Sequence, residues 1–330
     1  MEEMFQEVMM QKRTSTIIDL AQVEKGENVL ILCDFHTANL GKLLTAQVFQ
    51  RNAVPLFTII PPLKAHGDPV PEPVYKMAME ADVIIAPMTV SIGHTPLRHE
   101  ALKRGKKLMV LGEVDEAYLA KGAFDADFHA LRPQIEKLAE LVTKAKTARV
   151  TNAKGTDITL SIDGRKGQPF TGFTGNGMLA SPPCLEVNCA PVEGTSEGKI
   201  VADVSIEDLP SDLGFVLLKE PVECTVSSGL VKDIKGGWEA EQLKPYLESL
   251  QDPNIYSIAE LGIGMNPSAK ADGTNLMDEG SQDNLHIAIG TNEYFPGGTV
   301  KAKGHYDLVM SFCTLELDGV VVVKDGKPVI

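Results

Sequence analysis

Short apolar segments that alternate with helix-like segments limit the fold of the first half of the chain more than any other feature. The segment 27–35 (ENVLILCDF) is apolar over most of its length, which is typical of a strand buried on both faces. Further segments of this kind follow at 55–60, 82–87 and 107–112. Helix-like segments lie between them at 43–51, 71–80 and 97–104. Because strands that alternate with helices form parallel sheets, we predict a doubly wound α/β domain over 1–148, closed by a helix at 133–148.

The pattern changes after Arg149. The stretch 149–164 (RVTNAKGTDITLSIDG) alternates apolar and polar residues around a turn at Lys154–Gly155, which predicts a β-hairpin. Further alternating segments lie at 200–206, 220–226 and 230–234. One clear helix is predicted at 239–250. We therefore predict a second domain over 149–330, of the α+β class and rich in antiparallel strands.

Charge and composition exclude several kinds of partner. The net charge of −14 argues against a nucleic acid or an anionic membrane surface, because both require clustered Lys and Arg. The longest apolar runs are strand-sized, far shorter than a bilayer-spanning helix. The first 13 residues lack the pattern of a secretory signal, and the five cysteines form no CxxC pair. These features predict a cytoplasmic protein with reduced thiols and with no nucleic-acid or membrane partner.

Two histidines of the second half occur in strand-like segments. In GHYDLVM (304–310), His305 and Asp307 are two residues apart, so a strand would present the imidazole and the carboxylate on one face. In NLHIAIG (284–290), His286 stands among apolar residues. Each signal alone fits an ordinary surface pair or a hydrogen-bonded core histidine. Imidazole and carboxylate side by side can also bind a metal ion.

Two glutamates interrupt apolar segments in the same half. Glu260 lies in IAELGIG and Glu186 lies in PCLEVNCAP, where an unpaired carboxylate would cost several kcal/mol. A Lys, an Arg or a backbone N–H would remove that cost, and so would a cation. Together with the histidines, these residues predict a site for Zn, Mn, Co or Fe(II), with enough ligands for two ions. The predicted metal ligands are Glu186, Glu260, His286, His305 and Asp307.

At these residues the chain resembles the thermophilic metalloaminopeptidases, the leucyl aminopeptidase T-like family. The likeness rests on ordered segments: Glu186-Val187 with Pro191, Glu260, His286–Gly290 (HIAIG) and His305-Tyr306-Asp307. It covers roughly residues 150–330, and the N-terminal domain only in outline. The resemblance implies a dimeric hydrolase in which two divalent ions (Zn, Mn or Co) activate water. Two departures are a Glu at 293, where the family has a tyrosine, and a short segment between His286 and His305.

A second resemblance, over 235–267, is to 2,5-dihydroxypyridine 5,6-dioxygenase. That likeness implies one Fe(II) ion held by two histidines and an aspartate. His305 and Asp307 match two of these positions, and Glu260 stands where the dioxygenase has its first histidine. The likeness also gives His94, in the sequence GHTP, the place of a proton-transfer residue. An exposed loop histidine is the ordinary alternative for His94.

We predict a metal-dependent aminopeptidase-type hydrolase, because the ligand residues favour the first resemblance. Glu293, Tyr294 and His94 are the candidate catalytic residues that would move a proton to the leaving group. The alternative is a mononuclear Fe(II) dioxygenase that opens a hydroxylated pyridine or a related ring. A third hypothesis is a metal-binding relative without catalysis. In the first two cases the substrate is a small molecule or a short peptide, and the chain forms a homo-oligomer.

Overall fold

The computed structural model describes residues 2–64, 67–93, 95–175, 177–210, 213 and 217–330, with side chains from residue 6 onward. It divides into two compact units, Met1–Ala126 with Phe170–Pro183 and Asp127–Pro169 with Cys184–Ile330. These units interleave along the chain, whereas the sequence suggested one boundary near residue 148. Independent folding of 1–148 and 149–330 stays a prediction.

A parallel sheet forms the centre of the first unit. Its strands are β1 (Asn28–Asp34), β2 (Val54–Ile60), β3 (Val83–Met88) and β4 (Lys107–Gly112), in the spatial order β2-β1-β3-β4. The helices are α1 (Glu2–Leu20), α2 (Ala38–Gln50), α3 (Glu72–Glu80), α4 (Pro96–Lys103) and α5 (Glu116–Ala120), followed by a 3-10 turn at Ala123–Asp125. This arrangement confirms the predicted α/β class.

Apolar side chains attach helices to the sheet. α3 and α4 pack on a core that includes Leu30, Ile84 and Val110. On α2, a Cβ at Gly41 would overlap Cys33 Sγ and lie against the Phe57 ring, so this glycine lets the helix approach β1 and β2 closely. Leu30 and Cys33 are three positions apart on β1, and residues an odd number apart point to opposite faces of a sheet. Helices therefore cover both faces of this sheet.

The second unit contains antiparallel sheets, as predicted. Its strands are β5 (Thr147–Thr151), β6 (Asp157–Ser161), β7 (Gln168–Phe170), β8 (Glu186–Cys189), β9 (Glu197–Ala202), β10 (Val222–Ser227), β11 (Leu230–Lys235), β12 (Ile258–Gly264), β13 (Asn284–Gly290), β14 (His305–Ser311), β15 (Thr314–Leu317), β16 (Val320–Lys324) and β17 (Lys327–Pro328). They form an eight-stranded sheet, β11-β10-β9-β6-β5-β15-β16-β17, and a five-stranded sheet, β14-β13-β12-β8-β7. The helices are α6 (Phe128–Lys144), α7 (Trp238–Ser249) and α8 (Asn275–Asp278), and Pro253–Tyr256 forms a 3-10 turn.

Local chemistry explains where the predicted elements agree and where they differ. β5 and β6 form the predicted hairpin around Lys154–Gly155. The long helix α6 begins before the predicted position 133, because the Asp127 side chain accepts a hydrogen bond from Ala130 N and caps an earlier turn. It ends at Lys144, and β5 begins at Thr147, inside the segment predicted as helix.

Within the described part of the chain, no helix combines the length and the apolar character needed to cross a membrane. All five cysteines are buried and carry free thiols. Burial raises the pKa of Cys33, Cys189, Cys224 and Cys313 to about 12, which keeps these thiols protonated and unreactive.

Candidate metal centre

Adjacent strands of the five-stranded sheet bring the five predicted ligands to one face. Glu260 lies on β12, His286 on β13, and His305 with Asp307 on β14. Glu186 begins β8, on the other side of β12. Because side chains two apart point to the same face, His305 and Asp307 lie side by side as predicted. The sheet thus brings together residues that are up to 121 positions apart in sequence, from 186 to 307.

Small residues on the same face make room for these side chains. In the sheet register, Gly262 is opposite His286, Ala288 opposite Asp307, and Gly290 opposite His305. A Cβ at position 262 would overlap Nε2 and Cε1 of His286, so the imidazole occupies the space that a side chain there would fill. A glycine in mid-strand often marks such a close approach. The glycine of β12 at position 262 therefore makes room for the His286 side chain in the site.

The donor atoms form two overlapping groups. Glu186, Glu260 and His286 make one group, and Glu260, His305 and Asp307 make the other, with the ligand atoms of each group within 4.8 Å of one another. Nε2 of His286 lies 3.5 Å from Glu186 Oε2, 3.7 Å from Glu260 Oε1 and 3.8 Å from Asp307 Oδ1. Nε2 of His305 lies 2.9 Å from Glu260 Oε2 and 3.5 Å from Asp307 Oδ1. Glu260 belongs to both groups and joins them.

Burial leaves part of this donor set without hydrogen bonds. Glu186, Glu260, His286 and Asp307 are at most 6% exposed. Among the described residues, Glu186 Oε2 and Asp307 Oδ1 are buried without a hydrogen-bond partner. Buried polar atoms are almost always paired, and an unpaired carboxylate oxygen in a dry site is costly. The donor set therefore fits a cation, and this buried cluster of imidazoles and carboxylates constitutes a candidate metal site.

The pKa values show how strongly these groups depend on each other without a metal. Burial raises the pKa of Glu186 to about 7, and this effect outweighs the attraction of the His286 imidazole. Burial alone would lower the pKa of His286, but the carboxylates of Glu260, Asp307 and Glu186 raise it to about 9. Burial alone would raise the pKa of Asp307, but both imidazoles lower it to about 2. In the absence of a cation, the imidazoles thus neutralise the carboxylates.

Neighbouring groups orient two of the predicted ligands, His305 and Glu186. The Thr291 carbonyl lies 2.8 Å from Nδ1 of His305, so Nδ1–H donates to it and Nε2 is directed at the carboxylates. The Phe295 ring stacks on the His305 ring at 5.6 Å between centroids. Asn188 Nδ2 donates to Glu186 Oε1 at 2.7 Å. Metal-binding histidines commonly have such a partner on the second nitrogen.

The sequence pattern did not reveal these supporting residues. The Thr291 carbonyl belongs to the backbone, which no sequence pattern marks. Phe295 lies in a segment whose sequence is typical of a turn. The structure also places Glu279 and Cys184 beside Glu186, as a third group of potential ligands. Glu279 was missed because Asp278–Glu279, at the end of α8, looks like an ordinary exposed acidic turn in the sequence.

The three candidate catalytic residues are less well defined. Glu293 and Tyr294 lie in the loop after β13, and both are exposed, Tyr294 to 45%. The structure does not include them in the cluster of donor atoms, and their catalytic role stays a prediction. His94 lies outside the described residues.

Comparison with known proteins identifies the family. The family NicX, 2,5-dihydroxypyridine 5,6-dioxygenase, matches residues 9–330. The chain belongs to this family. The 2,5-dihydroxypyridine 5,6-dioxygenase of Pseudomonas putida is 25% identical over 264 residues, which are 76% of this chain and 71% of that protein. The predicted resemblance to this dioxygenase is thus confirmed, and this chain is a dioxygenase-family enzyme.

Solved structures support the same assignment of fold. The structure of 2,5-dihydroxypyridine dioxygenase from Pseudomonas putida KT2440 superposes with a TM-score of 0.81 at 21% identity, covering 97% of this chain and 96% of that one. Wild-type AmpT from Thermus thermophilus superposes with a TM-score of 0.67 at 16% identity, covering 98% of this chain and 100% of that one. The likeness to the peptidase is therefore weaker and concerns the fold.

These comparisons correct the main functional prediction. The prediction of an aminopeptidase-type hydrolase, and of a metalloprotease, is wrong, because the dioxygenase family matches nearly the whole chain. The error came from weighting four short ligand segments above the longer stretch 235–267. Both solved structures share this fold, so the fold does not distinguish between the two activities.

Proposed function

We propose that this protein is a ring-cleaving dioxygenase that acts on a dihydroxypyridine with a single Fe(II) ion in the strand cluster. The observation that carries the proposal is the buried group of imidazoles and carboxylates with unpaired donor atoms, in a chain that the dioxygenase family matches over residues 9–330. The relative in Pseudomonas putida is named for the same chemistry.

The iron ligands we assign are His286, His305 and Asp307. Asp307 Oδ1 lies 3.5 Å from His305 Nε2 and 3.8 Å from His286 Nε2, so this carboxylate is close to both imidazoles. Two histidines and one carboxylate on one side of the metal are the usual ligands of non-heme Fe(II) oxygenases. Glu260 stands at the position that resembles the first histidine of the dioxygenase, and it has no imidazole. In this assignment His286 supplies the second imidazole instead.

Glu260 and Glu186 then have a different task. Bound in the cluster, Fe(II) would supply the redox chemistry of ring cleavage by O₂. Glu260 Oε2 lies 2.9 Å from His305 Nε2, and we assign Glu260 the role of accepting the proton of a ring hydroxyl. Glu186, with its pKa raised to about 7 by burial, is able to hold or release a proton near neutral pH.

The surroundings of the cluster exclude water. Phe295 covers one face of the His305 ring, and the fully buried strand β13 keeps water away from His286. Exclusion of water strengthens electrostatic interactions at a reacting centre. We extend the proposal to a homo-oligomer with a small-molecule substrate and no nucleic-acid partner.

Reconstitution with iron tests this function. The protein is purified without oxygen, loaded with Fe(II), and mixed with 2,5-dihydroxypyridine in a closed oxygen-electrode cell. We expect one iron per chain, uptake of one O₂ per ring, and loss of the ring absorbance. Iron-loaded protein that consumes no O₂ and leaves the ring absorbance unchanged would overturn the proposal.

A pair of histidine variants sharpens this experiment. His286→Ala removes an assigned ligand, and we expect both bound iron and O₂ uptake to fall below detection. His129→Ala changes an exposed histidine on α6 and serves as the matched control, with both measurements unchanged. Full activity in His286→Ala would show that the imidazole of this residue does not hold the iron.

A further inference from the structure

The loop 291–304, between β13 and β14, supports His305 from two sides. Its first residue provides the Thr291 carbonyl that accepts from His305 Nδ1, and Phe295 stacks on the imidazole. The position of His305 Nε2 at the metal centre therefore depends on where this loop is held.

A buried amide closes the loop. Asn292 is fully buried; its Oδ1 accepts from Val300 N at 2.7 Å, and its backbone N–H donates to the Val300 carbonyl at 3.0 Å. A Cβ at Gly298 would overlap the Asn292 carbonyl, so the backbone at 298 lies as close to residue 292 as a glycine permits. The loop is thus compact and is held by its own polar groups.

Two charged residues from outside the loop attach it to the rest of the unit. Glu193 Oε1 accepts from Asn292 Nδ2 and from Thr299 N, both at 3.0 Å. The second carboxylate oxygen of Glu193 accepts from Arg165, whose other terminal nitrogen donates to the Gly297 carbonyl. The Arg165 side chain is only 11% exposed. Arg165 and Glu193 therefore hold both arms of the loop at once.

We infer that Arg165 and Glu193 are positioning residues of the metal centre, which act through the loop 291–304 on His305. This inference rests on the proposed function, since it assumes that His305 binds the metal. The Arg fork fits the task, because it presents several N–H groups in a rigid plane and can bind a carboxylate and a carbonyl together. A lysine at 165 has one ammonium group and cannot reproduce this fork.

The charge state of Glu193 agrees with this role. Burial alone would raise the pKa of Glu193, but hydrogen bonds from its own backbone N–H, Asn292, Arg165 and Thr299 lower it to about 2. The carboxylate is therefore ionised at every pH at which the enzyme would work, and the contact with Arg165 persists over that range.

Metal affinity tests the inference without relying on turnover. Arg165→Met removes both hydrogen bonds and keeps an unbranched side chain. We expect the dissociation constant for Fe(II), measured by anaerobic titration, to rise about tenfold, the lower end of the range for residues that support metal ligands. The visible spectrum of the Co(II)-loaded protein should also change, because it reports ligand geometry.

Arg149→Met is the matched control. Arg149 forms a two-pronged ion pair with Asp157, at 2.9 Å for each contact, on an exposed part of the other sheet. The same substitution there should leave Fe(II) affinity and the Co(II) spectrum unchanged. Glu193→Gln is the second variant in case Arg165→Met does not fold. The amide oxygen of that variant would still accept from Asn292, but the charge pair would be lost, so affinity should fall by less than in Arg165→Met.

The outcomes separate the two proposals. A folded Arg165→Met protein with Fe(II) affinity within about twofold of the wild type and an unchanged Co(II) spectrum would overturn the positioning role. Wild-type protein that binds Fe(II) but consumes no O₂ would overturn the proposed function alone, if Arg165→Met still weakens binding. Wild-type protein that binds no Fe(II) would overturn both.

Discussion

Buried carboxylates occur in both units of the protein, and their hydrogen bonds differ. In the first unit, Asp34 ends β1 and is fully buried. Its Oδ1 accepts from His36 N and Thr37 N, at 2.9 and 3.4 Å, and its Oδ2 accepts from Thr89 N and Thr89 Oγ1, at 2.7 and 2.6 Å. In the second unit, Glu186 Oε2 and Asp307 Oδ1 are equally dry and have no such donors among the described residues.

This difference distinguishes a structural carboxylate from a ligand. The four donors around Asp34 replace the water that it lost on folding, so both of its oxygens are satisfied by hydrogen bonds. In the strand cluster, histidines are the main compensation, and they are themselves the proposed metal ligands. The cluster therefore fits a cation, whereas the Asp34 carboxylate needs none. The following predictions test this comparison, from the largest expected effect to the smallest.

Removal of an assigned ligand should have the largest effect. We expect His305→Ala to weaken Fe(II) binding by more than about 100-fold, beyond the 10–100-fold range of residues that only support ligands. Turnover should become undetectable. Metal analysis of anaerobically purified protein and a Fe(II) titration measure the effect. Normal iron content in His305→Ala would contradict the comparison, because the strand cluster would then not differ from the Asp34 site by binding iron through His305.

Metal binding should be strongly pH-dependent. Without metal the pKa of His286 is raised to about 9, so the ion must displace a proton from its imidazole below that pH. Affinity should therefore rise with pH, by about tenfold per unit for each proton released, and fall on acidification. Fe(II) titrations at pH 6, 7 and 8 check the sign, and an affinity independent of pH would show that no ligand loses a proton.

Replacement of the satisfied carboxylate should affect stability and not metal binding. Asp34→Asn puts an NH₂ group where an oxygen accepts hydrogen bonds, so we expect unfolding free energy to fall by about 2 kcal/mol. Urea denaturation measures the loss, and Fe(II) affinity should stay within about twofold of the wild type. The exposed Asp157→Asn is the control, expected within about 0.5 kcal/mol of the wild type. A loss of Fe(II) binding in Asp34→Asn as large as in His305→Ala would contradict the contrast between the Asp34 site and the strand cluster.

Replacement of an unsatisfied carboxylate should have a smaller effect of opposite sign. The pKa of Glu186 is raised in the folded state to about 7, so ionisation of this group removes stability as pH rises from 4.5 through 7. At pH 8, Glu186→Gln should therefore stabilise the metal-free protein, by about 1 kcal/mol after the lost attraction of His286 is counted. Thermal unfolding of the metal-free protein measures this, and destabilisation would show that Glu186 is compensated like Asp34.

Much of the fold could be predicted from local sequence patterns. The apolar run of β1 and its three parallel partners predicted the α/β class, because strands buried on both faces are apolar throughout. The alternation after Arg149 predicted the β5–β6 hairpin, because one face of that sheet meets solvent. The predicted end of α6 was too late, because residues 145–148 fit a helix as well as a strand when the neighbouring strands in the sheet are unknown.

The identity of the candidate ligands was also readable. Glu186, Glu260 and His286 stand out because a polar residue in a strand-like apolar segment requires compensation. Their function as metal ligands is a proposal, which the structure supports with distances and unpaired atoms. The activity could not be predicted from them, because one fold can carry different activities.

The sequence by itself determined which segments become strands and which of them carry imidazoles and carboxylates, because both depend on residues close together in the chain. Only the tertiary structure decided the register that sets Gly262 opposite His286, the lack of a described donor to Glu186 Oε2, and the link from Arg165 through Glu193 to the loop beside His305. The physical reason is that hydrogen-bond satisfaction and close approach depend on the positions of groups distant in sequence, which local periodicity does not encode.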